Sequence, residues 1–186
     1  YCDGAVAVAD IALVIPEDAT DNSLESTPSI HAAHGMARML CELKCQFDVI
    51  LPDQPFDEYR MVIFVDTIRF DPELAERVRR FLRQGGKVIS CGWSGVTPDE
   101  DAFALPEFWP CCFRGESAHD PAYFRVVDAA AFPGVPDMPV TLYEKGTSVH
   151  APDEFCAAEI VAPYFNRHFD GEHAFLYLPP DRASGE

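Results

Sequence analysis

The sequence has 186 residues, with 14 Lys and Arg against 31 Asp and Glu, and a formal net charge of −17 at pH 7. This charge disfavours binding to nucleic acid or to an anionic membrane surface, because both carry the same sign. With 48 % apolar and 12 % aromatic residues, the composition is typical of a folded domain, and the length favours a single one.

The seven cysteines include no C-x-x-C pair, and their number is odd. This spacing matches neither a secreted disulfide framework nor a zinc site, so it favours a reduced, cytoplasmic setting. No segment has the 18 or so consecutive apolar residues of a membrane span, and the first residues lack the pattern of a secretory signal. Because the sequence starts at Tyr1 without Met, we expect it to be a piece of a longer polypeptide.

The first half of the chain alternates short apolar runs with amphipathic segments. The runs predict strands at 11–15, 47–51, 61–65 and 87–91, and the segments predict helices at about 28–44 and 72–84. Thr27 and Asp71 each precede a proline and supply the expected N-cap signals, and Gly85 ends the second helix. Strands that alternate with helices predict right-handed crossovers and a mostly parallel sheet, as in flavodoxin-like three-layer sandwiches.

The second half of the chain is richer in proline, and its apolar runs are short. They predict strands at 122–127, 140–144, 157–165 and 174–178. Neither half has an obvious set of helices that covers both faces of a sheet. We therefore expect the later strands to join the same sheet as antiparallel additions.

The candidate nucleophile is Cys91. It lies at the carboxyl end of the fourth predicted strand, and ligands of open α/β sheets bind beyond the carboxyl ends of the strands. The segment SCGWSG follows the fourth predicted strand, and Cys91, Gly92 and Ser94 resemble part of a nucleophile elbow. The segment lacks the last glycine of G-x-S-x-G, and the chain offers no clear histidine and carboxylate partners. A buried structural thiol is the expected role, and a cysteine-dependent amidotransferase or hydrolase is the enzymatic alternative.

Other candidate sites are incomplete. The loop at 16–23 has three carboxylates and no glycine, so it disfavours a phosphate ligand. His31 and His34 share a helix face without a third ligand, so no metal or cofactor is expected. Aromatic residues could stack on sugar rings, which keeps a carbohydrate-binding module as a second alternative. These aromatic residues are Trp93, Phe108 and Trp109.

A resemblance to a known family runs over nearly the whole chain and is most specific in two segments. They are the stretch from Tyr59 to Gly95, which includes MVIFVDTIRFDPELAERVRRFLRQGGKVISCGWSG, and APYFNR at 162–167. The sequence resembles the trimerisation domain of β-galactosidases of glycoside hydrolase family 42. The resemblance implies a fold similar to class I glutamine amidotransferases without their catalytic triad. It also implies that residues 1–10 connect to a preceding catalytic barrel and that 11–186 form a single α/β domain.

The resemblance implies a function in assembly. The chain would be a non-catalytic domain of a β-galactosidase-like glycoside hydrolase of carbohydrate metabolism, with no catalytic residue of its own. Its partners would be the catalytic barrel and neighbouring subunits of a homo-oligomer such as a trimer. Tyr164, Phe165, Asn166 and Arg167 form the candidate contact surface. The equally favoured alternative places Tyr164 and Phe165 in the core at a strand end.

Overall fold

The computed structural model describes residues 4–5, 8–20, 28–119, 121–142, 145–164 and 179–183. The chain divides into two units, residues 1–99 and residues 100–186. The elements of the first unit are β1 (Ile11–Val14), α1 (Pro28–Glu42), β2 (Phe47–Ile50), β3 (Met61–Phe64), α2 (Pro72–Arg83) and β4 (Lys87–Ser90). A short 3₁₀ helix, Glu17–Thr20, follows β1.

The four strands of the first unit form one parallel sheet in the order β2-β1-β3-β4. This confirms the predicted α/β fold with a mostly parallel sheet. In the register, Leu13 lies opposite Val49 and Ile63, and Ile63 lies opposite Ile89. Since neighbouring residues in a parallel register point to the same side, these four side chains share one face of the sheet.

Helix α1 covers the middle of that face. Ala33 and Leu40 of the helix form a buried cluster with Leu13 and Ile63 of the two central strands. At the start of the helix, the Ser29 hydroxyl lies 3.2 Å from the hydroxyl of Thr67, which follows β3. The predicted N-cap Thr27 lies outside the described residues.

Helix α2 covers the opposite face, to which Phe64 points. The Asp71 carboxylate caps the helix by accepting a hydrogen bond from the Leu74 amide at 2.8 Å, as predicted. Phe56 lies between the sheet and the helix, with its ring centroid 6.1 Å from that of Phe64 and 5.7 Å from that of Phe81. The first unit is therefore a three-layer sandwich by itself. Because each face of this sheet carries a helix, the expectation that neither half has helices for both faces of its sheet was wrong for the first half.

The second unit consists of antiparallel strands and loops. Its strands are β5 (Cys112–Glu116), β6 (Ala122–Val126), β7 (Val140–Leu142), β8 (Thr147–His150), β9 (Ala158–Pro163) and β10 (Pro180–Ala183). A 3₁₀ helix, Asp153–Phe155, precedes β9. The predicted strand at 174–178 lies outside the described residues, and β10 was not predicted.

These antiparallel strands form two sheets of their own. One has the order β10-β9-β6-β7, and the other is the ribbon β5-β8. The expectation that the described strands would join the parallel sheet was wrong. The central strands β6 and β9 already have a hydrogen-bonded partner on each side, so neither of them has a free edge for pairing with the parallel sheet.

We predict that Phe56→Ala strongly destabilises the protein. The ring is 1 % exposed and touches both β3 and α2, so its removal leaves a cavity and should lower the free energy of unfolding by about 3–5 kcal/mol. Urea unfolding measures the change. The matched control is Phe132→Ala, whose ring is 45 % exposed and whose effect should stay within about 0.5 kcal/mol. Equal effects of the two substitutions would contradict this role for Phe56.

Candidate functional site

The predicted elbow lies at the carboxyl end of the parallel sheet, where the chain turns after β4. The Cys91 amide donates to the Phe64 carbonyl at 3.1 Å and so extends the ladder between β3 and β4. The chain then forms a turn at 92–95 with no helix behind it. A reactive elbow places its nucleophile at a helix N-terminus, whose partial positive charge favours a thiolate. The described structure around Cys91 lacks that feature.

The turn after β4 is joined to the turn after β3 by backbone hydrogen bonds. The Trp93 amide donates to the Asp66 carbonyl at 2.7 Å, and the Gly95 amide donates to the Ile68 carbonyl at 3.1 Å. Asp66 has φ +35°, in the left-handed region that non-glycine residues rarely adopt. The two turns therefore hold each other in a fixed arrangement.

Gly92 is required by this arrangement for two reasons. Its φ is +56°, and a Cβ at this position would lie 3.2 Å from the Asp66 Cα and 3.3 Å from the Asp66 carbonyl oxygen. Such an approach is close, and part of it is against backbone, which cannot rotate away. The glycine that the sequence placed in a nucleophile elbow thus packs one turn against another.

Ser94 is also a structural residue. Its side chain is 1 % exposed, and its hydroxyl accepts a hydrogen bond from the Ile68 amide at 3.1 Å. The Ser90 hydroxyl donates to the Ser94 carbonyl at 2.5 Å. A serine that is buried in this way has no room for a substrate at its hydroxyl.

Cys91 has the electrostatic surroundings of an unreactive thiol. Burial raises the pKa of the Cys91 thiol above its ordinary value, and the negative charge of Asp66 raises it further. A catalytic cysteine needs the opposite environment, with a neighbouring positive charge that lowers its pKa. The thiol of Cys91 is therefore protonated at neutral pH.

A cleft of about 350 Å³ lies at the same end of the first unit. Its charged lining residues are Glu17, Asp53, Arg69, Asp71, Glu73 and Arg77. Arg69 donates to the Trp93 carbonyl at 3.2 Å and lies 4.6 Å from the centre of the Trp93 ring. Arg77 donates to the carbonyls of Pro52 and Gln54. Both arginines thus contact the protein itself, and the carboxylates make the cleft a poor site for a phosphate.

The predicted histidine and aromatic residues are described one by one. His31 and His34 are exposed on α1, and no group of three or more metal-ligating side chains occurs among the described residues. Trp93 packs under Arg69, and Trp109 packs against Phe103 with 5.8 Å between ring centroids. These contacts favour packing roles over sugar stacking.

The candidate contact surface is described only in part. The Tyr164 side chain is 69 % exposed, and its amide donates to the Pro179 carbonyl at 2.8 Å. This exposure disfavours the alternative that places Tyr164 in the core. Phe165, Asn166 and Arg167 lie outside the described residues.

An exposed apolar surface is the feature that the sequence analysis missed. Met39 and Leu43 belong to the apolar face of α1 in sequence, and Ile89 belongs to the predicted strand at 87–91. In the structure these residues are 51 %, 71 % and 44 % exposed. An apolar face that another element covers and an apolar face that stays exposed have the same sequence pattern. The sequence alone therefore does not show that these three side chains are exposed.

Comparison with known sequences gives matches to β-galactosidases. A family model described as the β-galactosidase trimerisation domain matches residues 20–112. A β-galactosidase from Alicyclobacillus acidocaldarius is 34 % identical over 61 residues, which are 33 % of this chain and 9 % of that protein. The described part of the chain contains no helix with the length and hydropathy of a membrane span.

Solved structures show where this fold occurs. An α-L-fucosidase, isoenzyme 2 from Paenibacillus thiaminolyticus, matches 97 % of this chain and 27 % of its own, with a TM-score of 0.74 and 24 % identity. A β-galactosidase from Rahnella sp. R3 matches 82 % of this chain and 25 % of its own, with a TM-score of 0.65 and 17 % identity. The chain thus spans about a quarter of the length of these structures.

We predict that Gly92→Ala destabilises the protein by about 1–3 kcal/mol, because a Cβ at φ +56° meets the Asp66 backbone. Urea unfolding measures the loss. The control is Gly35→Ala in α1, where a Cβ meets nothing within 4 Å and helix propensity favours alanine. The control should be neutral or slightly stabilising. If Gly92→Ala changes the free energy of unfolding no more than Gly35→Ala does, the turns after β3 and β4 are not in close contact at Gly92.

We predict that iodoacetamide alkylates Cys91 at least a few-fold more slowly than the exposed Cys41 at pH 8. The raised pKa of Cys91 leaves less thiolate at this pH, so the rate should keep rising at pH values where an ordinary thiol is already ionised. Peptide mapping by mass spectrometry follows both sites in one sample. Rapid, selective labelling of Cys91 would instead favour the cysteine-dependent enzyme.

Proposed function

The chain belongs to the β-galactosidase trimerisation domain family, and on this premise we propose that it is the non-catalytic assembly domain of a β-galactosidase-like glycoside hydrolase. The family expected from the sequence is confirmed, since the matching family model covers half of the chain. The proposal concerns what this chain does within a larger enzyme of carbohydrate metabolism.

The environment of Cys91 is the observation that carries the non-catalytic role. The Cys91 thiol is half-buried near Asp66, the Ser94 hydroxyl accepts a hydrogen bond from a backbone amide, and Gly92 packs against the neighbouring turn. Each residue of the elbow therefore makes contacts that stabilise the fold, and none has the surroundings of a catalytic residue. These contacts support a vestigial elbow and disfavour the cysteine-dependent alternative.

The proposed partners are a catalytic barrel and neighbouring subunits of a homo-oligomer such as a trimer. The chain spans about a quarter of the solved structures that share its fold, so most of each of those enzymes lies outside the matched region. We propose that residues 1–10 connect to such a barrel and that the barrel supplies the catalytic carboxylates. The exposed ring of Tyr164 supports a contact surface at 164–167.

The proposed location is the cytoplasm. The described cysteines, at positions 41, 45, 91, 111, 112 and 156, are all free thiols. Free thiols at six positions are the usual state in a reducing compartment. The proposal needs no metal or cofactor for the function of this domain.

We expect the complete gene product to form a trimer and a variant without residues 11–186 to lose it. Size-exclusion chromatography with light scattering gives the molar mass of each species directly. A circular dichroism spectrum of the shortened variant checks that the remaining polypeptide is folded. An unchanged trimer after the deletion would overturn the assembly role.

A further inference from the structure

A cleft of about 590 Å³ lies within the second unit. Residues of β8 and β9 line it, together with the segment before β5 and the 3₁₀ helix Asp153–Phe155. Since β8 and β9 belong to different sheets, the cleft borders both antiparallel sheets of this unit. Its volume is within the range of about 300–1,000 Å³ that small-molecule sites have. The cleft is therefore large enough for a small ligand.

The side chains that line the cleft are mostly apolar. Val149 of β8 and Ile160 of β9 line it from the two sheets, and Trp109 adds an indole ring. Val149 lies opposite Phe113 in the ladder between β5 and β8. The Phe103 ring centroid lies 5.8 Å from that of Phe113 and 5.8 Å from that of Trp109. Packing against neighbouring rings thus holds the indole ring in position beside the cleft.

A phenyl ring lies at the rim of the cleft in a turn with a fixed backbone. Phe155 lines the cleft and is 59 % exposed. Its amide donates to the Pro152 carbonyl at 2.9 Å, and the Cys156 amide donates to the Asp153 carbonyl at 3.1 Å. The Cys156 thiol donates to the Ala158 carbonyl at 3.0 Å, which joins the turn to β9. These bonds hold the ring next to the cleft while much of it remains in contact with solvent.

The charged groups of the cleft are carboxylates. Asp153 and Glu159 line it, and no Lys or Arg does among the residues that the structure describes. The Glu159 carboxylate pairs with Arg125 at 2.8 Å, which offsets its charge. The Asp153 carboxylate forms no ion pair within the described part of the chain. Carboxylates and aromatic rings both attract a cation, because the face of an aromatic ring is electrostatically negative.

We propose that this cleft, which we call the Trp109 cleft, binds an organic ammonium ion with an apolar body. Trp109, Val149 and Ile160 contact the apolar body, and Asp153 and the ring of Phe155 lie near the positive charge. The net charge of −17 raises the local concentration of cations around the chain. The proposal does not rest on the proposed function, because the second unit supplies every residue that it needs.

A monosaccharide fits the Trp109 cleft less well than an ammonium ion does. A sugar ring carries hydroxyl groups on most of its carbons, and a hydroxyl that is buried without a partner costs about 1–3 kcal/mol. The side chains of Val149, Ala158 and Ile160 offer no such partner. An ammonium ion with an apolar body has a single polar group, for which the carboxylates of the cleft are sufficient.

The test measures how a ligand protects Cys111 and Cys156, which line the Trp109 cleft, from iodoacetamide in the complete gene product. Hexyltrimethylammonium is the probe, and hexanol is its neutral counterpart. Alkylation is followed by peptide mapping at about pH 9, because burial raises the pKa of the Cys111 thiol. With a dissociation constant of about 1 mM, about 10 mM probe should slow both alkylations about tenfold. Hexanol at the same concentration should slow them less than about twofold, since it has no charge.

Cys112 is the control within the same sample. It follows Cys111 in sequence, but it is exposed and does not line the cleft, so its alkylation rate should not change. Asp153→Asn should weaken the binding of hexyltrimethylammonium about threefold and leave the effect of hexanol unchanged. The matched control is Asp137→Asn, which removes an exposed carboxylate elsewhere in the second unit. It should behave like the wild type.

Selective protection of Cys111 and Cys156 by the cation, with weaker protection in Asp153→Asn, supports the proposal. Absence of protection would overturn it, and equal protection by hexanol would overturn the ammonium class. Slower alkylation of Cys112 as well would contradict the assignment to this cleft. Protection by galactose and not by the cation would favour the carbohydrate-binding alternative instead. The wild type alone decides these outcomes, so the proposal stays testable if Asp153→Asn does not fold.

Discussion

The first unit of this protein is governed by the need to cover a four-stranded sheet with one helix on each face. On the face of α2, aromatic side chains from the connecting loops complete the cover. Phe56 and Phe70 lie beside Phe64, with 6.1 Å and 4.7 Å between ring centroids. On the face of α1, no loop of the described structure supplies such rings, and Val49 and Ile89 stay exposed. Each face thus has a single helix, but only the face of α2 also has loop aromatic side chains that cover the rest of the sheet.

The carboxyl end of the sheet shows how a position used for chemistry can serve packing instead. In an α/β fold, the turn after a strand presents side chains where a ligand can bind. Here the turns after β3 and β4 bind each other through Trp93 and Asp66, and Ser94 closes the gap between them. The backbone conformation of an elbow is retained in part, while the thiol beside it is held in its protonated form. Fold and function are therefore separable at this site.

Much of the first unit could be predicted from the sequence, because its signals are local. The Asp71-Pro72 cap, the glycines after α2 and the β-branched runs each specify a nearby conformation. Phe56 could not be placed, since its neighbours in the connecting loop are polar and its burial depends on α2, which comes later in the chain. The separate antiparallel sheets were also missed. Strand pairing over long sequence distances leaves no mark in the hydrophobic period of either strand.

The separation of charge on the surface has a consequence for how copies of this chain approach one another. Between two copies of these 186 residues, a net charge of −17 produces repulsion that acts over long distances. At physiological ionic strength, interactions between exposed charges fade beyond about 8 Å, so this repulsion is largely screened until the surfaces nearly touch. Attraction between a lysine such as Lys87 and a carboxylate in direct contact survives that screening better. The surrounding salt therefore favours short-range complementarity over net charge, so the negative charge of this chain does not by itself exclude contact with another acidic surface.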